Sequence, residues 1–121
     1  MKYILSESKF NSIINKIFNS YYNEPLIKYE DDEGYLLFIP ESEITPYLNK
    51  DLKKLPQRFY ETSKFERNLW GMLWVNDIDL IEKIISILSI SEEETKIILL
   101  DYFEDKYDIR IKNVTFQYPD N

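Results

Sequence analysis

Gly34 is one of two glycines in 121 residues, and the stretch around it, PLIKYEDDEGYLLFIP, is the strongest local constraint on the fold. Two short apolar runs flank Asp31-Asp32-Glu33-Gly34, and glycine reaches positive φ without a Cβ clash. The pattern predicts a β-hairpin over residues 26–39, with an acidic turn projecting into solvent and Pro40 ending the second strand. The same scarcity of glycine argues against a phosphate-cradling loop, where the backbone must close around the ligand.

Helical periodicity dominates the rest. Phe10, Ile13, Ile14, Ile17, Phe18 and Tyr21 follow i, i+3, i+4, i+7, i+8, i+11 spacing, which predicts an amphipathic helix over residues 6–22, with Ser6 or Ser8 as N-cap and Pro25 marking its exit. Thr45-Pro46 resembles an N-cap followed by proline at the first helical position, so a short helix is expected over 46–54. Residues 57–75 contain no proline and only Gly71. Phe59, Leu69, Trp70, Leu73 and Trp74 suggest a further helix there, in which Trp70 and Trp74 at i, i+4 are read as core residues. Asp77 can cap a helix over 78–88, whose wide stripe of Leu80, Ile81, Ile84, Ile85, Ile87 and Leu88 implies burial on more than one side. Ser91-Glu92-Glu93-Glu94 is a capping-box sequence and opens a helix to residue 106 or 107.

Residues 109–118 alternate apolar and polar with one slip of phase at Lys112-Asn113, which reads as a strand with a bulge, paired with the hairpin. A short strand over residues 2–5 is expected to join the same sheet. Together these elements predict an α+β fold in a single domain, 1–121, with about four helices on one face of a small antiparallel sheet built from hairpin 26–39 and strand 109–118. An apolar content of 44% is enough for a folded core at this length. The apolar runs are far shorter than the ~20 residues needed to span a bilayer, and the N-terminus turns polar too early for a signal peptide. A cytoplasmic location is expected.

The composition excludes more chemistry than it suggests. The chain has no histidine, the commonest acid/base and metal ligand, and no cysteine, the strongest nucleophile, so an enzyme is not expected. Without cysteine there is neither a disulfide framework nor a thiolate metal site. Asp77-x-Asp79-x-x-Glu82 lacks the glycine turn and the later glutamate of a calcium loop, and Asp77 is already explained as a cap. Glu94-Thr-Lys96 and Glu104-Asp-Lys106 match the Glu-x-Lys element of Mg²⁺ nucleases, but that element needs a strand, and in a helix i and i+2 diverge. No metal and no cofactor are expected.

Charge carries the functional expectation. The net charge is -7, with seven acidic residues against Lys28 between residues 24 and 43, and ten against Lys83, Lys96 and Lys106 between 77 and 108. Residues 50–67 between them hold six basic and three acidic side chains. A net-negative domain disfavours direct nucleic-acid binding and favours a basic partner. Asp101, Glu104, Asp105 and Asp108 form a carboxylate stripe on the last helix, whose like charges cost a few tenths of a kcal/mol each unless a cationic partner relieves them. Tyr22, Glu24, Tyr29 and Tyr35 flank Asp31, Asp32 and Glu33, and tyrosine is enriched in interfaces because it is large, rigid and amphipathic. These eleven residues are the expected partner-binding set. The expected function is an acidic inhibitor of immunity-protein or antitoxin type that occludes the positively charged site of a basic protein, such as a nuclease toxin. The alternative is a DNA mimic directed against restriction or CRISPR machinery, which requires two rows of carboxylates at duplex-phosphate spacing. An enzyme working on carboxylates alone is a third class.

Overall fold

The computed structural model describes residues 7–50 and 53–118, and shows an α+β fold in which five helices and five strands build a mixed sheet. The expected strand over residues 2–5 and the Ser6 cap lie outside the described residues. The first helix, α1 (Glu7–Tyr22), leads into the hairpin of β1 (Leu26–Glu30) and β2 (Leu36–Pro40), which pair antiparallel with Gly34 at φ 95 in the turn. β2 is the structural axis. Its first four residues, Leu36, Leu37, Phe38 and Ile39, are all buried, so the strand packs a hydrophobic layer on each side of the sheet.

The two layers have different owners. Leu36 and Phe38 join the main core with Ile14, Ile17 and Phe18 of α1, with Leu80, Ile81 and Ile84 of α4 (Ile78–Leu88), and with Leu99, Tyr102 and Phe103 of α5 (Glu92–Tyr107). Leu37 and Ile39 join a smaller core on the opposite face with Ile44, Leu55 and Phe59. Those residues come from α2 (Glu41–Leu48), from the segment after it, and from α3 (Gln57–Thr62). Helices therefore cover both faces rather than the one expected.

Two helix boundaries differ from the sequence reading. The helix expected over 46–54 begins directly after Pro40 and contains Pro46 inside it. The Glu24 carboxylate accepts hydrogen bonds from the Ser42 backbone N–H and hydroxyl, so the first turn is capped from across the chain. Thr45, read as an N-cap, instead donates its hydroxyl to the Glu41 carbonyl. The helix expected over 57–75 stops at Thr62 and is followed by β3 (Phe65–Arg67) and β4 (Met72–Val75), which pair antiparallel. Asn68 makes the reversal: its side-chain oxygen accepts from Trp70 and Met72 N–H, while Gly71 adopts φ 83. Leu73 and Val75 then face the main core while Met72 and Trp74 point to the other side.

The final strand, β5 (Asn113–Phe116), runs parallel to β4 and not beside the hairpin, so the sheet is mixed, in the order β1-β2-β3-β4-β5. A parallel neighbour needs a crossover, and α4 with α5 provides it. The phase slip at Lys112-Asn113 is the point where the connecting segment becomes strand: Ile111 is buried before it, and Val114 and Phe116 after it. Both predicted caps of the crossover are present. Asp77 accepts from Leu80 N–H at 3.2 Å, and Ser91 and Glu94 form the reciprocal capping box.

Asp77 is also buried and accepts from the Tyr22 hydroxyl at 2.6 Å and the Tyr21 hydroxyl at 3.2 Å, tying the end of α1 to the start of α4. Replacing Asp77 by Ala removes a cap and leaves a half-buried phenol without its acceptor. The expected loss is about 2–4 kcal/mol, measurable by urea denaturation, with Asp77→Asn retaining part of it.

Candidate interaction surfaces

The expected binding residues separate into three environments. Tyr22 belongs to the core edge: its ring packs on Phe18 and Phe65, and burial, followed by the bond to Asp77, raises its hydroxyl far above the usual phenol range. Glu24 is engaged as the cap of α2. Tyr29 packs against the smaller core, where burial and then Asp31 and Asp32 raise its hydroxyl.

The acidic turn is not the solvent-projecting tip that the sequence suggested. Asp31 is 6% exposed. One of its oxygens accepts from Glu33 and Tyr35 N–H at 2.9 Å each, and the other accepts from the Tyr60 hydroxyl at 3.0 Å. The turn needs this acceptor because its own N–H groups point inward, and a carboxylate satisfies several at once. Asp32 and Glu33 are exposed; Asp32 N–H donates to the Lys53 carbonyl, and Glu33 forms an ion pair with Lys54. Carboxylate oxygens of Asp31, Asp32 and Glu33 lie within 4.8 Å of one another, close enough to consider a cation, but the oxygens of Asp31 are already occupied by three donors.

Beside this turn, on the face of the sheet that carries α2 and α3, lies a hollow of about 280 Å³ lined by Asp31, Glu33, Tyr35, Lys54, Leu55, Gln57, Tyr60 and Glu66. Burial and then the Asp31 contact raise the Tyr60 hydroxyl well above the phenol range. Glu66 sits on β3 opposite Trp74, and burial raises its carboxyl above the ordinary carboxylate value. The sequence reading missed Glu66 and Tyr60 because both lay inside a segment taken as one helix.

The third environment is the outer surface of α5. Asp101, Glu104 and Asp105 line a shallow depression with Asn11 of α1, and Asp105 accepts from Asn11 Nδ2 at 3.3 Å. Glu104 is partly buried and accepts from Ile111 N–H at 2.8 Å. Asp108 is exposed and holds the left-handed C-cap position at φ 53. Lys106, the nearest base in sequence, turns away to Asn15 Oδ1 and lies over the Tyr102 ring, and desolvation lowers its affinity for its proton. Since α5 belongs to one helical layer and the acidic turn docks against the other, the two acidic zones are on opposite sides of the sheet.

Trp70 departs most plainly from its expected place. Read as a core residue, it is 71% exposed at the tip of the β3–β4 turn, next to Leu69. Leu69 rests on Gly34 so closely that a Cβ at Gly34 would lie 2.8 Å from Leu69 Cδ2, which joins the two turns into one end of the sheet. Trp74, also read as core, points to the opposite face from the main core and is half-buried.

No helix among the described residues is long and apolar enough to cross a membrane. Comparison with protein-family models, with curated proteins and with solved structures finds no match to this chain.

The environment of Glu66 sets a pH signature. Its folded-state affinity for a proton exceeds the unfolded one, so below the ordinary glutamate range of about pH 4 the group is neutral in both states and costs nothing. As pH rises through the interval between the two values, the folded state must hold a poorly solvated charge and stability falls. Glu66→Gln should raise the melting temperature near neutral pH and leave it unchanged below about pH 4, as thermal melts at the two pH values would show.

Proposed function

We propose that this protein is a non-enzymatic inhibitor that binds a basic protein through carboxylates, in the manner of an immunity protein or antitoxin closing the phosphate-gripping site of a nuclease. The observation that supports this reading is the outer row of α5. Asp101, Asp105 and Asp108 are exposed on successive turns, while Leu99, Tyr102 and Phe103 of the same helix are buried and Lys106 is drawn off toward Asn15. Complementary charge on a partner turns such an exposed row into attraction and faster encounter.

Mimicry of duplex DNA by this face has weaker support. A second row of carboxylates would have to run beside α5, where the α1 side chains that hydrogen-bond to it among the described residues include the uncharged Asn11 and Asn15. The acidic turn contributes in a narrower way than its sequence suggested, since Asp31 is committed to the turn and Asp32 and Glu33 alone face solvent.

The test begins with recovery of partners from cells of the source organism at low and high salt, followed by assay of the recovered protein. A basic nuclease captured at low salt and inhibited stoichiometrically by the purified chain supports the reading. The variant Asp101→Asn/Asp105→Asn/Asp108→Asn should slow association about tenfold at low salt while folding as stably as the parent or slightly more so. Unchanged association would remove α5 from the interface. Divalent-metal-dependent hydrolysis by the purified chain alone would replace the reading with an enzymatic one.

A further inference from the structure

We propose that the hollow between the β1–β2 turn and α3 is a receptor for a lysine side chain projected by the basic partner. This assignment rests on the inhibitor reading above and adds to it a specific contact, distant from the α5 row.

The hollow has the parts that an alkylammonium group needs. Leu55 and Gln57 offer surface for the methylene stem. Tyr35 and Tyr60 provide aromatic walls, whose rings attract a cation held within about 6 Å. Asp31 fixes the Tyr60 wall by accepting its hydroxyl, and holds the backbone that carries Tyr35 by accepting the Tyr35 N–H. Glu33 and Glu66 supply negative charge at the rim and in the interior. The chain itself demonstrates the chemistry: the ammonium of Lys54, one of the lining residues, lies on Glu33, which raises its proton affinity. Lys54 reaches only the exposed Glu33 carboxylate, and no ion pair among the described residues engages the half-buried Glu66.

Glu66 gives an energetic reason to expect an occupant. A half-buried carboxylate held above its ordinary proton affinity costs stability in the free protein, and such groups concentrate where a ligand supplies the compensating charge. An incoming lysine would displace Lys54 toward solvent and place its ammonium between Glu33 and Glu66. Asp31 is then a positioning residue, acting through the Tyr60 side chain and the Tyr35 backbone.

The experiment is an NMR titration of the isotopically labelled chain with Nα-acetyl-lysine methylamide, using the Nζ-acetylated compound as a neutral control and cadaverine as a free diamine. The Lys54→Gln variant should bind the lysine probe with a Kd of about 1–10 mM, at least about fivefold tighter than the parent, with resonance changes at Tyr35, Tyr60 and Glu66. Glu66→Gln should lose most of that binding, and its thermal melt establishes that the loss is not unfolding. The triple α5 variant should bind the probe like the parent. Absence of shifts in Lys54→Gln, equal shifts with the neutral control, or response to cadaverine but not to the lysine probe would each overturn the assignment. A null titration alongside intact partner association removes only the hollow, whereas loss of partner inhibition by the α5 variant with normal probe binding bears on the α5 row alone.

Discussion

Burial of β2 on both faces is the constraint around which the molecule is built. Four consecutive apolar residues, Leu36 to Ile39, cannot be satisfied by a sheet with one wet side, because alternation sends two of them to each surface. One surface is met by α1, α4 and α5 and the other by α2 and α3. The unequal size of the two helical layers follows from the strands beyond β2. Phe65, Leu73, Val75, Val114 and Phe116 extend the main core across β3, β4 and β5, whereas the smaller core ends with Leu37 and Ile39. The hollow beside α3 lies at the margin of that smaller layer, where Glu66 of β3 is neither fully covered nor fully wet.

Elements encoded by short-range chemistry were legible in the sequence. The hairpin, α1, the Asp77 cap and the Ser91 capping box each depend on residues within a few positions of one another, and each appears where the spacing put it. Residues 57–75 were misread for a physical reason. Leu69, Trp70, Leu73 and Trp74 imitate a helical period, while β3 is three residues long, too short for alternation to register. The partner of β5 was likewise invisible, since nothing local distinguishes a strand that adds to a hairpin from one that closes a crossover.

The candidate site was legible in its charge and illegible in its wiring. Of the α5 carboxylates spaced i, i+3, i+4, i+7, Asp101, Asp105 and Asp108 are exposed, while Glu104 is half-buried on the Ile111 N–H. What spacing could not reveal is that Asp31 finds the hydroxyl of Tyr60, or that Asp77 finds Tyr21 and Tyr22, across long stretches of chain. These two aspartates play the same part at different ends of the sheet. Each is buried, each accepts at least one phenolic hydroxyl and one nearby backbone N–H, and each converts a charge that would be costly alone into a junction between elements. Acidic residues of one composition thus divide into internal fasteners and external surface, a division made by burial and not by residue type.

The placement of the indoles has a practical corollary. Trp70 stands in water on a turn pinned through Asn68 and Gly71, whereas the Nε1 of Trp74 is shielded from solvent within the sheet. Because the chain contains no other tryptophan, its ultraviolet emission is the sum of one exposed fluorophore and one half-buried fluorophore whose indole N–H is shielded. A quencher dissolved in the buffer addresses the first preferentially, so a single optical experiment can follow events at the turn end separately from loss of the packed interior.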